Sequence, residues 1–263
     1  MKTITSKDNP AYKAMHRLVS KSSERKATGM SVLDGAHLLG AFVDSGGTPE
    51  QVFVNRAGAE DPGIAALVRR SAPAPVTQLS DALFRSLSTV DSPTGVIASA
   101  LTPQAKAVPA DPPLVLMLED IQDPGNVGTL IRSAAAAGAG HVMLSPSCAF
   151  AWSPKVLRAA MGGHFALNVV EGADLASFAA RYKGTVIALA GGAERSLYDL
   201  DLRGASAFVV GNEGAGISAE LAARAKVRAR IPASPRVESL NAGVAGSIAL
   251  FECMRQRGAK GKK

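Results

Sequence analysis

The sequence predicts an α/β protein in two parts, the second built on a parallel sheet. Three observations carry this. Apolar residues make up 47% of the chain but aromatics only 5%, so the interiors must be built from Ala, Val, Leu and Ile, as layers of helix and sheet are. Short β-branched runs alternate with helical stretches along most of the length. Between residues 102 and 113, Pro103, Pro109, Pro112 and Pro113 occur among few apolar side chains, which reads as an extended linker. At 263 residues the chain has room for two domains. The expected division is 1–101, a linker at 102–113, and 114–263.

In the first part, helices are expected at about 10–22, 35–45, 61–71 and 80–87, and strands at about 29–33, 51–54, 75–78 and 94–100. This is a small α/β domain. In the second part, strands are expected at about 114–118, 141–145, 166–170, 185–190, 207–211 and 227–231, with helices between them. That alternation argues for a parallel sheet covered by helices on both faces. A last helix, about 239–256, repeats Leu240, Val244, Ile248 and Phe251 with Ala242, Gly243, Ala245 and Gly246 among them. The small residues let helices approach closely.

The formal net charge of +7 points to a polyanionic partner. Lys2, Lys7, Lys13, Arg17, Lys21, Arg25 and Lys26 crowd the first 26 residues against only Asp8 and Glu24. Arg255, Arg257, Lys260, Lys262 and Lys263 end the chain with no acid among them. Cys148 and Cys253 are too few and too far apart for a disulfide scaffold, which suits a reducing cytosol. The four histidines form no ligand pattern, so no metal is expected. No apolar core follows the first lysine and no run of eighteen apolar residues occurs, so neither a secretory leader nor a membrane span is expected.

Three segments carry chemistry. Asp123-Pro-Gly-Asn-Val-Gly-Thr-Leu-Ile-Arg132 follows a strand and opens an alanine-rich helix, with Asn126 placed as the N-cap and Arg132 two turns in. Phe208-Val-Val-Gly-Asn-Glu-Gly-Ala-Gly-Ile-Ser218 is a strand and a glycine-rich loop holding one carboxylate, Glu213. Ile231-Pro-Ala-Ser-Pro-Arg-Val-Glu-Ser-Leu-Asn241 is a strand end, a polar loop and a helix start. Taken singly, Asn126 reads as a cap, Arg132 as a solvated charge and the glycines as turns. Gly214-Ala-Gly-Ile-Ser-Ala219, with Glu238 about twenty residues on, also fits a dinucleotide fingerprint. It falls late in the sheet, and its acid sits in a loop rather than at a strand end, which weakens that fit.

Together, in order and spacing, the three segments resemble the signature motifs of the SpoU (TrmH) branch of the SPOUT RNA methyltransferases. The matching residues are Asn126 and Arg132, then Gly211, Glu213 and Gly216, then Ile231, Pro232, Ser239, Leu240 and Asn241. Ala233 and Pro235 depart from the residues common there. The opening at Ile4–Lys13 and the stretch from Asp34 resemble the L30e-like substrate-binding domain that precedes many such catalytic domains.

The resemblance implies a deep trefoil knot near 208–218 and 231–243, a homodimer with sites near the interface, and S-adenosylmethionine as cofactor. It implies cofactor contacts at Ala190, Gly211, Ile231 and Leu240, with Gly191 a further lip. Arg132 is expected at the catalytic centre with Asn126, Glu213, Ser239 and Asn241. Lys155 and Arg158 are expected to touch RNA phosphates. A guanidinium stays protonated, so the expected role of Arg132 is to grip a phosphate beside the target ribose. The implied reaction is methylation of an RNA ribose 2′-hydroxyl, with ribosomal RNA favoured over transfer RNA. A non-catalytic RNA-binding or ribosome-assembly protein of the same fold and a nucleotide-dependent oxidoreductase stand as alternatives.

Overall fold

The computed structural model describes residues 3–90, 92–237 and 239–258. Lys2, Glu238, Lys260, Lys262 and Lys263, named above for charge or motif, lie outside the described residues. The chain forms two compact units, Met1–Gln104 with Trp152–Phe165, and Ala105–Ala151 with Ala166–Lys263.

The first unit runs β1 (Thr3–Ile4), α1 (Pro10–Ser20), α2 (Ser22–Thr28), β2 (Met30–Asp34), α3 (Ala36–Asp44), β3 (Gln51–Val54), α4 (Arg56–Glu60), α5 (Pro62–Arg70), β4 (Val76–Leu79), α6 (Asp81–Leu87) and β5 (Val96–Leu101). Its sheet has the order β1-β4-β3-β5-β2, with β5 antiparallel to both neighbours. The helix expected over 10–22 ends at Ser20, because Lys21 is extended, and α2 starts anew. Asn9 caps α1 by accepting from the N–H groups of Ala11 and Tyr12. The apolar face of α1, Tyr12, Met15 and Leu18, packs with Val32, Phe53, Phe84 and Ile97. Each such side chain contributes roughly 1.5–3 kcal/mol on burial. Arg25 is buried and donates to the carbonyls of Leu18 and Val19, so one basic residue of the N-terminal cluster serves a helix end. Lys13 and Arg17 pair with Asp8 and Glu24.

The second stretch runs β6 (Leu114–Leu118), α7 (Pro124–Ala136), β7 (His141–Leu144), α8 (Pro154–Ala160), β8 (Asn168–Val170), α9 (Leu175–Arg181), β9 (Thr185–Leu189), β10 (Arg195–Ser196), β11 (Ser206–Val210), α10 (Ala219–Arg224), β12 (Val227–Arg230) and α11 (Ala242–Gly258). Apart from α8 these form the second unit. Seven parallel strands lie in the order β10-β12-β9-β11-β6-β7-β8. β6 and β11 are buried along their whole length, the continuous apolar run expected of central parallel strands. β11 is inserted between β6 and β9, with Ser206 opposite both Leu114 and Thr185. On one face Val115, Met117 and Val209 pack with Phe178, Tyr182 and Leu221.

Two expectations need revision. The segment Trp152–Phe165, assigned above to the second domain, belongs to the first unit. Its α8 lies on β2, and Phe165 meets the Phe42 ring edge-on at 5.2 Å. The proline-rich stretch lacks strand or helix, yet from Ala105 on it is held to the second unit. Lys106 exchanges two hydrogen bonds with Asn168, Arg181 donates to the Val108 carbonyl, Lys183 N–H to Ala110, and the Tyr182 hydroxyl to Pro112. Prolines cannot donate, so side chains and neighbouring amides satisfy the carbonyls instead.

Candidate active site

Because the sheet of the second unit is parallel, the chain leaves β9, β11 and β12 on the same side. Strand order also reverses there, since β11 and β12 flank β9 although both follow it in sequence. Crevices beyond the carboxyl ends of strands at such a reversal are where open α/β sheets bind ligands. A cavity of about 490 Å³ lies at this place. Its walls are Ala188–Gly191, Val210–Ile217, Arg228–Ile231 and, further on, Ala233, Ser234, Pro235, Val237, Ser239, Leu240, Ala242 and Ala245. Thus Ala190, Gly191, Gly211, Ile231 and Leu240, the expected cofactor contacts, all line one cavity, together with Glu213 and Ser239.

The glycine-rich loop is a closed turn. Asn212 and Gly216 exchange both backbone hydrogen bonds, at 3.0 and 2.9 Å. The Asn212 side chain accepts from the N–H groups of Gly214 and Ala215 and donates to the Asp120 carbonyl. Gly216 sits at φ 73°, in the left-handed region. A Cβ on Gly211 would meet the Gly216 backbone at 2.4 Å. These amides are engaged within the turn, and α10 beyond it is six residues long. A pyrophosphate needs free amides and a helix N-terminus, which argues against the dinucleotide fingerprint.

Asn126 is not a helix cap. Asp123 caps α7 by accepting the Asn126 N–H at 2.8 Å, with Pro124 in the first turn. That frees the Asn126 side chain, whose Nδ2 donates to Glu213 Oε1 at 2.6 Å. The first and second motifs therefore meet at the cavity rim. The third joins them through α11. Asn241 caps that helix by accepting the Val244 N–H at 3.1 Å, so the helix starts at Ala242 rather than at Ser239. A Cβ on Gly243 would lie 3.1 Å from Asn126 Oδ1. Ser133 bonds Ser247 at 2.7 Å, and a Cβ on Gly246 would strike Leu130. These pairs advance together, so α7 and α11 run side by side in the same direction, kept close by glycines.

Arg132 is exposed on α7, about 9 Å along the axis from Asn126. It forms no hydrogen bond or ion pair among the described residues and does not line the cavity of its own chain. Lys155 and Arg158 stand in the first unit, on α8. Lys155 is exposed, while Arg158 donates to the carbonyl and hydroxyl of Thr89 at 3.0 and 3.1 Å.

A model of the SpoU rRNA Methylase family matches residues 113–251, more than half the chain. The chain belongs to this family. A second model, the MRM3-like substrate binding domain, matches residues 9–98. Among SpoU relatives, an uncharacterized tRNA/rRNA methyltransferase of Synechocystis is 31% identical over 98% of this chain and 95% of its own. The 23S rRNA (guanosine(2553)-2′-O)-methyltransferase RlmP of Bacillus subtilis is 30% identical over 95% of this chain and 98% of its own. The AdoMet-bound rRNA methyltransferase of Sinorhizobium meliloti superposes with a TM-score of 0.84 at 26% identity, covering 97% of each chain.

Several residues that shape this SpoU site escaped the sequence reading. Glu119 accepts from both the N–H and the hydroxyl of Ser218, at 2.8 and 2.6 Å, tying the loop end to β6. Ser218 in turn caps α10, a signal legible as a serine before Ala-Glu. Asn212 was legible only as a turn residue. Arg228 and Arg230 line the cavity from β12 together with Ala229, and nothing in their neighbours' types marked them. Cys148, near the ends of β6 and β7, accepts the Ile121 N–H, and burial pushes its thiol pKa up. It is not an activated nucleophile. Among the described residues no group of three or more His, Cys, Asp or Glu is arranged to hold a metal ion, and no helix is long and apolar enough to cross a membrane.

Proposed function

We propose that this chain methylates the ribose 2′-hydroxyl of ribosomal RNA, using S-adenosylmethionine, as a cytoplasmic homodimer. The observation that carries the reading is a cavity lined by residues of the second and third motifs, with the Asn126–Glu213 hydrogen bond at its rim. The cavity suits the cofactor. It falls within the roughly 300–1,000 Å³ range of small-molecule sites. Ala190, Val210, Ile231 and Leu240 offer apolar wall for an adenine, Gly191 and Gly211 allow close backbone approach, and Glu213 supplies negative charge against a sulfonium. When bound, S-adenosylmethionine supplies an electrophilic methyl group for in-line displacement.

The chain's own residues then position the ribose. Asn126 holds Glu213 at the rim, and Ser239 lines the same cavity. Arg132 grips the phosphate next to the target ribose and stabilises charge, while the hydroxyl proton passes to that phosphate or to water. Placement of this kind lowers a barrier by several kcal/mol, up to about 7–11. Arg132 serves the cavity of a second copy. Val244, Phe251 and Met254 leave an apolar stripe on α11, 46–47% exposed, beside the helix that carries Arg132. A second copy covering that stripe completes both sites. Such a knot as the family resemblance implies would fix the loops after β11 and β12 against each other. The first unit, with Lys155 on α8, brings the RNA.

The test is transfer of labelled methyl from S-adenosylmethionine to unmodified ribosomal RNA, mapped by resistance of the modified linkage to alkaline cleavage. Label on a ribose supports the reading. Label on a base, on transfer RNA alone, or none at all overturns it.

A further inference from the structure

Two arginines that the reaction as proposed does not use line the cavity. Arg228 and Arg230 stand two residues apart on β12 and so project from one face of it. Both line the cavity, and neither forms a hydrogen bond or ion pair among the described residues. β10 extends that face outward, with Ser196 in register with Arg230. The chain then enters a short 3-10 turn, Leu197–Asp199, in which Tyr198 is 52% exposed. The nearby acids in sequence, Glu194 and Asp199, are exposed, as is Arg195, and Glu213 lines the same cavity as the arginine pair.

A solvated arginine is ordinary. Two without a partner among the described residues, sharing a strand face, lining a cavity and with an exposed aromatic residue in the turn after the neighbouring strand, are a pattern that single strands of nucleic acid fit. Guanidinium groups take phosphates in a fork, and a tyrosine face accepts any base. The cofactor itself is a poor occupant for both groups, because its sulfonium is repelled by them and it has only one carboxylate.

We propose that Arg228, Arg230 and Tyr198 form a track for the single-stranded RNA flanking the target nucleotide, the arginines on phosphates and the tyrosine under a base. This rests on the methyltransferase reading for the word "target", but not for the binding itself.

The test is fluorescence anisotropy of the full chain with a labelled single-stranded oligoribonucleotide across a salt series, alongside calorimetry with S-adenosylmethionine. In the double variant R228Q/R230Q the slope of log affinity against log salt should fall by about 1.4, since each single-strand phosphate contact contributes about 0.7. Tyr198→Ala should weaken binding on the order of tenfold with the salt slope kept. R228K/R230K should recover most of the slope, and the melting temperature of each variant checks the fold. Unchanged RNA affinity and slope in R228Q/R230Q overturns the proposal. So does lost cofactor affinity with RNA binding intact, which would give the arginines to the carboxylate. If wild-type protein binds RNA along this track yet transfers no methyl group, the methyltransferase reading fails and the track stands.

Discussion

The Asn126 amide donates to the Glu213 carboxylate across 2.6 Å, joining residues 87 positions apart. This contact brings a helix start and a glycine-rich loop to one rim, while Asp123 caps α7. Asn126→Ala and Glu213→Gln should each lower kcat by roughly ten- to a hundredfold, about 1.4–2.7 kcal/mol of lost stabilisation. The double variant should be little worse than either single one, since both remove the same link. Steady-state rates on ribosomal RNA check this, and additive losses would separate the two residues.

Among the described residues Arg132 has no hydrogen-bond or ion-pair partner in its own chain, and its helix lies beside an exposed apolar stripe. Mixing Arg132→Ala protein with a variant whose cavity is blocked, Leu240→Trp, should restore activity to roughly a quarter of wild type, from one sound site in each mixed dimer. The rate after co-refolding is the readout. No recovery means that Arg132 serves its own chain. Arg132→Lys should lose turnover while keeping RNA affinity, because an ammonium cannot reproduce the fork.

Gly211→Ala places a methyl group 2.4 Å from the Gly216 backbone, which cannot yield as a side-chain tip does. The substitution should cost about 1–3 kcal/mol and weaken cofactor binding further. Gly192→Ala is the control, since nothing lies within 4 Å of its Cβ. Thermal melts and calorimetry of the two variants make the comparison.

The buried Tyr182 hydroxyl donates to the Pro112 carbonyl, and burial pushes its pKa up to about 12 from an ordinary 10. A raised folded-state pKa means that the protonated form is favoured in the fold. Its contribution is complete below pH 10 and is lost as pH rises from 10 towards 12. The loss is at most about 1.4 kcal/mol per pH unit for one proton. Urea midpoints across that window should fall in the wild type more steeply than in Tyr182→Phe, which should itself cost about 1 kcal/mol at neutral pH.

Most strands were legible because their signals are local. Leu114–Leu118 is an unbroken apolar run stopped by Pro113 and by Glu119-Asp120, and it forms β6 at those bounds. β1 and β10 were not legible, since two residues become a strand only through distant partners, Gln78 and Leu79 for one, Ala229 and Arg230 for the other. At the site, Ala190, Gly191, Gly211, Glu213, Ile231, Ser239 and Leu240 followed from motif content, while Arg228 and Arg230 did not. Asn126 was misplaced as a cap although Asp123-Pro124 is itself a helix-start signal, the stronger of two overlapping ones. The membership of Trp152–Phe165 in the first unit depends on Trp152, Val156 and Leu157 being buried, and no pattern in a sequence names the surface that buries them.

β11 is the second-last strand in the chain yet the middle one in its sheet. A ribosome making this protein therefore exposes two unpaired edges, those of β6 and β9, until residues 206–210 emerge. Chains interrupted before that point keep most of their hydrophobic strands but own no binding cavity at all, so affinity for the small ligand reports on completed synthesis. Such fragments should stick to one another rather than act as weakened enzymes.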